Sequence, residues 1–584
     1  MKGLALPKVK HATVNEALAA AARTSLGLVF VDASERETRL PWAEVYQRAR
    51  HTAAGLRRLG VAPGERVALL LPTSPGFMDA FFGTLLAGAV PVPLYPPVRL
   101  GRLEEYHRST ARMLEVSGAA LVLTDGKVRL LLGASVAAAR PRLGCHTVEE
   151  VARGDEDGEV PGSPEALALI QFSSGSTVDP KPVALRHSHL VAQLAALEAE
   201  LPPPEDRAPV GVSWLPLYHD MGLIGCLLSA VYYPGGMVLI PPEVFLARPA
   251  LWLRALSRHR AFVSPAPNFA YGLCLKRVKD AELEGVDLSG WRHALNGAEP
   301  VSVETLRRFS ERFSRWGFQP GALRPVYGMS EASLAVTFPP AGRGPRALGV
   351  DSRVLATERR AVDGSREVVS VGRPVPGFEV CVRDELGHTL EERRVGRVFV
   401  RGPSVMAGYF GHPEATASAL DAEGWLDTGD MGFEADGELF LTGRAKDLVI
   451  IRGANHAPQE FEECLEGVEG LRTGCAVALG FTPEGEQDEA LLLLAEHAPG
   501  ERGEGLEERV REAVLAGTGV RPHTVAVLEP GTLPRTSSGK LRRSEALRRY
   551  LAGELTAPRK VGTVGLVVEM ARSALAFVRA GREE

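Results

Sequence analysis

Phe172-Ser173-Ser174-Gly175-Ser176-Thr177-Val178-Asp179-Pro180-Lys181 is the stretch around which the rest of the chain is arranged. It follows Ala166-Leu167-Ala168-Leu169-Ile170, a short apolar run that reads as a buried strand. From Ser173 to Thr177 come hydroxyls and one glycine, a composition no core selects. A loop of small residues exposes consecutive backbone N–H groups, and these can surround an anion. The hydroxyls add donors and Lys181 adds a mobile positive charge. Two readings stand at this point, a phosphate-holding loop and a solvated Ser/Gly linker. The stretch is not the G-x-x-x-x-G-K-[ST] loop, because no Gly-Lys pair sits at that spacing.

At 584 residues the chain predicts two or more domains. Its 45% hydrophobic content is that of a soluble globular protein. A formal net charge of -5 gives a nucleic-acid role no electrostatic support. Cys145, Cys226, Cys274, Cys381, Cys464 and Cys475 are scattered, without a C-x-x-C pair. That spacing argues against a zinc site or a disulfide framework, and a reducing cytoplasm fits it. Lys2, Lys8 and Lys10 surround Pro7 with no continuous apolar core, unlike a secretion signal. The apolar run from Phe81 to Leu94 is broken by Gly88, Pro91 and Pro93, and so predicts a buried helix and strand rather than a membrane span.

Working outward, residues 13 to 60 show helical periodicity. Arg66 to Leu71 and Ala119 to Leu123 read as buried strands, Met78 to Leu86 as a helix, and Pro91 to Leu94 as extended. Strands alternating with helices imply a parallel sheet covered on both faces. Beyond the central loop, Trp214-Leu215-Pro216-Leu217-Tyr218-His219-Asp220-Met221-Gly222-Leu223-Ile224-Gly225 places a His-Asp pair between two apolar runs, as at the mouth of a pocket. The run after it reads equally as an ordinary core helix. Asn296-Gly297-Ala298-Glu299-Pro300 follows a short strand. Pro325-Val326-Tyr327-Gly328-Met329-Ser330-Glu331 forms the next strand and turn. Tyr327 could stack on a purine. Glu331 is a hard oxygen ligand suited to Mg²⁺, or else a surface glutamate. A polar stretch between Phe338 and Val371 fits neither period. From Gly372 to Leu441 short strands alternate with turns and predict a β-rich subdomain. Asp430, in Trp425-Leu426-Asp427-Thr428-Gly429-Asp430, sits on a tight turn where a carboxylate could accept two ribose hydroxyls. Gly443-Arg444-Ala445-Lys446-Asp447 follows, and a flexible Gly539 precedes Lys540 in a basic run.

In order and spacing these motifs resemble the adenylate-forming ligases (acyl-CoA synthetases, luciferases and peptide-synthetase adenylation domains). Val178 and Pro182 stand where most of those loops carry a further glycine and a Lys-Gly glycine. The Tyr218-His219-Asp220-Met221 wording, Pro91 to Pro97, Ser264 to Tyr271, Asp287 to Arg292 and the stretch at about 339–370 resemble the fatty acyl-AMP ligase branch. The resemblance implies an α/β fold. A large domain of stacked αβ layers would span 1–445, with its β-rich subdomain at about 345–445. A mobile α+β domain would span 446–555, and a tail 556–584.

It also implies roles. Ser173, Ser174, Gly175, Ser176, Thr177 and Lys181 would hold the phosphates of ATP, with Thr177 and Glu331 on Mg²⁺. Gly297, Ala298, Glu299, Tyr327, Gly328, Met329 and Ser330 would surround the base, and Asp430 and Arg444 would bind the ribose. His219 would place a fatty carboxylate, with Gly222, Leu223, Ile224, Gly225 and Phe269 along the acyl chain. Lys540 would be catalytic, Lys446 the hinge, and Gly453 the close approach for a phosphopantetheine arm. The acceptor would be an acyl carrier protein acting in trans, and the 339–370 insertion would restrain the C-terminal domain and disfavour CoA. Two alternatives are an acyl-CoA ligase and a non-catalytic nucleotide- or lipid-binding relative. In the tail, Val564, Val567, Val568, Ala571, Leu575 and Val578 recur at helical spacing. They predict a helix packed on the small domain, or one that docks a partner or a membrane surface.

Overall fold

The computed structural model describes the chain except residues 98–99, 153–159, 174–180, 484, 487, 502, 537–538, 559–562 and 581–584. Arg66–Leu70 is buried along nearly its whole length. It pairs in parallel with Val90–Leu94 on one side and Ala119–Thr124 on the other, and Cys145–Thr147 completes a four-stranded parallel sheet. Strands so apolar on both faces require cover on both. A second sheet runs Leu323–Pro325, His293–Asn296, Val263–Ala266, Val210–Ser213, Gly236–Leu239, Gly27–Val31 and Glu37–Pro41. All its pairings are parallel except the last. The expected α/β layering is what forms.

Residues 13 to 60 are not one helical region. Two helices, Val14–Ala21 and Trp42–Arg58, flank a hairpin of Gly27–Val31 and Glu37–Pro41. Asp32 makes the turn by accepting the N–H groups of Ser34 and Arg36 at 2.8 and 3.0 Å, a local bond that competes with helix. Gly27 lies against the partner strand, where a Cβ would meet Leu40 O at 2.5 Å.

The β-rich subdomain is an antiparallel sheet built around Arg366–Pro374, Glu438–Arg444, Leu426–Ala435, Gly396–Arg401 and Glu379–Arg383. The 339–370 stretch is more ordered than its sequence suggests. Ala347–Val350 pairs with Arg366–Pro374, and Ser352–Glu358 is a helix capped by Asp351. What orders it is a buried carboxylate. Glu438 is fully buried and receives Arg343 at 2.6 Å, Ser370 at 2.7 Å and Arg346 at 3.3 Å. A buried charge persists only when paired in this way.

The small C-terminal body has a hairpin, Val449–Ile451 with Ala454–His456, and a sheet of Leu471–Phe481, Ala490–His497 and Thr524–Leu528. Its own core includes Val449, Phe461, Leu493, Val510 and Val514. The tail helix Thr563–Ala580 corrects one expectation: it packs on Gly133–Ala139 of the large domain rather than on the small one. Helical spacing identifies an apolar face but not the surface that receives it. Among the described residues no helix is long and apolar enough to cross a membrane.

Candidate active site

In the seven-stranded sheet the strand ends are level: Ala266 pairs with Asn296, and Asn296 with Pro325. The chain therefore delivers its turns to one edge. Gly297-Ala298-Glu299 leaves His293–Asn296, Tyr327 to Glu331 leaves Leu323–Pro325, and Trp214 to His219 leaves Val210–Ser213. Phe269 leaves Val263–Ala266. Ligands of such sheets bind outside the carboxyl ends of the strands.

Polar bonds knit these turns together. Tyr327 donates its hydroxyl to Asp430 at 2.6 Å, and Arg444 Nε donates to the other carboxylate oxygen at 3.0 Å. Ser330 donates to Asp220 at 2.6 Å, and the Met221 N–H donates to the same carboxylate at 2.7 Å. Tyr409 donates to Glu331 at 3.0 Å. The Lys181 ammonium lies 4.7 Å from the centre of the Tyr409 ring. Ser173 and Lys181 close the mouth of the central loop through an N–H to carbonyl bond of 2.9 Å. Ser174, Gly175, Ser176 and Thr177 lie outside the described residues.

Burial sets the electrostatics. It pushes the Glu331 carboxyl up, helped by the Asp220 charge, while Tyr409 and Arg444 pull it down. It also pushes Glu299 up, against the Phe269 N–H (2.6 Å) and the charges of Lys540 and Arg535. His219 is lowered to about 4, by burial and by Lys540, against Asp220. Its ring is thus neutral at pH 7. Lys540 is lowered by burial and Arg444, while Asp220, Glu299 and Asp430 oppose the shift. Lys540 therefore shares the crevice with these carboxylates, carried in by the small domain. Its turn closes with Thr536 N–H to Lys540 O at 2.8 Å, and Gly539 takes the left-handed φ of 91° that the turn requires.

Ala298 holds φ of 72° without being glycine, a conformation that costs energy and that clusters at functional turns. Gly222 packs where a Cβ would lie 2.3 Å from Pro216 O. Leu223–Leu228 is a π-helical turn rather than an ordinary core helix, a form frequent at functional sites. Leu223 and Ile224 are fully buried, and a Cβ on Gly225 would meet the Leu334 side chain. Gly328 and Met329 sit against Leu334, whose carbonyl accepts the Met329 N–H at 2.7 Å. Phe269, 38% exposed, lies edge-on to Trp214. Lys446 lies on the short turn Ala445–Asp447, lowered by burial and by Arg444 and Lys181 while Asp447 and Asp430 oppose the shift, and Gly453 lies on its hairpin with φ of 81°. Sequence reasoning missed Asp220 and Tyr409 as site residues. Asp220 was signalled by its place after His219, whereas nothing in the spacing around Tyr409 pointed to Glu331.

The sequence profile described as AMP-binding enzyme matches residues 18–410. An acyl-CoA synthetase, so named, of Caulobacter vibrioides is 38% identical over 552 residues, covering 93% of this chain and 96% of that protein. The medium-chain-fatty-acid–[acyl-carrier-protein] ligase JamA of Moorena producens is 33% identical, with 90% and 92% covered. A solved structure from a study of fatty acyl-adenylate ligases of E. coli and L. pneumophila superposes with a TM-score of 0.88 at 34% identity, covering 94% of this chain and 99% of that one. The chain belongs to the AMP-binding enzyme family.

Proposed function

We propose that the protein is a fatty acyl-AMP ligase that passes its acyl group to the phosphopantetheine thiol of an acyl carrier protein. The observation that carries this reading is the gathering of Lys540, His219, Asp220 and Glu299 about one crevice. The names of JamA and of the fatty acyl-adenylate ligases support it. In the first step a carboxylate oxygen attacks the α-phosphorus of ATP, a P–O bond breaks and pyrophosphate leaves. Such transfer depends on alignment and charge neutralisation. Lys540 would lie against the carboxylate and α-phosphate and stabilise charge that grows in the transition state. Neutral His219 orients the fatty carboxylate without adding a charge. Asp430, fixed by Tyr327 and Arg444, accepts the ribose hydroxyls.

Glu331 fits a magnesium ion. Its carboxyl is raised by burial, and a cation would favour the charged form. Among the described residues no group of three or more metal-type side chains occurs. Mg²⁺ needs no such cluster, since it takes one or two carboxylates and draws its remaining ligands from phosphates and water. Thr177 would be the second protein ligand, and the ion would supply charge neutralisation to the triphosphate.

In the second step the thiolate sulfur attacks the acyl carbon, the bond to AMP breaks and the thiol proton goes to solvent. Lys540 leaves first, by rotation about Lys446, and Gly453 lines the entry of the arm. The domain limits at about 445 and 555 belong to this reading, as does a cytoplasmic setting, which the unpaired state of all six cysteines supports. A second reading, transfer to free CoA, is favoured by the name of the Caulobacter relative. Incubation with ATP, Mg²⁺ and a series of fatty acids, with and without CoA, decides between them by product mass. Acyl-AMP that persists beside CoA is the expected result. Acyl-CoA as the main product would overturn it.

A further inference from the structure

The tail helix does more than finish the chain. Its Ser573, 4% exposed, accepts the backbone N–H of Gly133 at 2.8 Å. Gly133 opens the helix Gly133–Ala139, which has no side-chain cap of its own. The tail thus satisfies a donor that a helix start leaves orphaned. Packing is tight here, since a Cβ on Gly133 would fall 2.1 Å from Ser573 O. Phe577 packs against the core beneath the four-stranded sheet, with the Arg129 guanidinium 5.8 Å from its ring centre.

The chain before the tail is pinned to the other domain. Leu555 packs with Val477, Leu492 and Leu533 of the small domain's second core. Pro558 lies over Gly531, where a Cβ would meet it at 3.2 Å. Only residues 559–562 separate Pro558 from Thr563, and that span reaches roughly 18 Å at full extension. Beside it, Arg102 of the large domain donates to the carbonyls of Gly531 and Thr532 at 3.2 and 3.0 Å, and Glu105 pairs with Arg549 at 2.7 Å.

We propose that the tail helix is a strap: docked on Gly133–Ala139, it ties the small domain to the closed arrangement that puts Lys540 in the crevice, and it must release before the second step. While Ser573 and Phe577 stay seated, the Pro558 end of the small domain can stand no farther than roughly 18 Å from Thr563. The inference rests on the reading that Lys540 leaves before a thiol enters.

Two full-length variants test it. Phe577→Asp unseats the helix. Insertion of about twelve Gly/Ser residues after Pro558 leaves the helix docked but slackens the link. Acyl-adenylate is formed from decanoic acid and ATP, pantetheine is then added, and the transfer is followed in a single turnover. Both variants are expected to transfer about fivefold faster or more, the lower range of couplings between two states, with adenylate formation unchanged. Hydrogen exchange at Arg102 and Thr532 should rise in both. Transfer at the wild-type rate in both, with exchange showing the helix free in Phe577→Asp, would overturn the strap. If the wild type forms no adenylate, the activity reading fails, and the exchange at Arg102 and Thr532 still decides the strap: unchanged protection in both variants overturns it.

Discussion

Arg366, in the insertion, reaches the small domain directly, lying 3.8 Å from Glu460 and 3.5 Å from Glu463. The tail helix acts at a remove, through a seat on the large domain and a short link. The first contact is ionic: Arg366 and Glu460 are largely buried, at 13% and 6% exposed, while Glu463 is 49% exposed. The second is largely apolar and includes a buried hydroxyl–amide bond. Exposed pairs weaken with salt, whereas apolar burial does not. On the proposed reading, salt would loosen the insertion's outer pair with Glu463 and leave the apolar seat of the tail in place.

The largest expected effect tests what both restraints serve. If they keep Lys540 in place, Lys540→Ala must silence the first step however firmly they hold. Acyl-AMP formation should fall roughly a hundredfold to a thousandfold, as on loss of one preorganised charge, while ATP affinity measured by calorimetry stays near wild type. Near-wild-type turnover would break the comparison at its root. Glu331→Gln should lower the same rate on the order of a hundredfold and yet raise Tm without Mg²⁺ at pH 7. The sign follows from the raised carboxyl: stability is full below the unfolded value and is lost as pH rises through the folded one. A lower Tm would argue against that burial cost.

Arg366→Glu sharpens the contrast. It sets like charges beside Glu460 and Glu463 and should speed transfer to pantetheine about threefold or more, because the largely buried Glu460 loses its cationic partner. That gain should shrink at 1 M salt, where the Phe577→Asp gain persists; equal salt dependence of the two would erase the distinction. The smallest effect is in the crevice itself. His219 is lowered to about 4, so the unfolded ring takes a proton below about 6.5 where the native ring does not. Stability should fall as pH drops from 6.5 toward 4 and be flat above. In His219→Gln the Tm difference between pH 7.5 and 5 should be smaller, and an unchanged difference would refute the neutral native ring.

The parallel strands were legible because their apolar runs are continuous, as in Arg66–Leu70 and Ala119–Thr124. The turns that line the crevice were legible because small and polar residues break those runs at fixed places. The first hairpin was not, since Asp32 makes its turn inside a stretch whose apolar spacing also suits a helix. Nor was the Tyr409–Glu331 bond, a contact between residues far apart in sequence. The seat of the tail was hidden for a related reason: it is made by Gly133 and Ser573, two small residues that carry no pattern.

Glu438 carries a consequence for engineering. Its partners Arg343, Arg346 and Ser370 all lie at the insertion, and among the described residues Arg373 stands beyond them at 4.0 Å. Excising 339–370 to open the enzyme to CoA would strand a carboxylate in the sheet and remove the strand that covers it, so lost activity would report misfolding as readily as altered acceptor choice. A shortened loop made together with Glu438→Gln would separate the two. By the same reasoning, lineages that lose the insertion should change residue 438 with it.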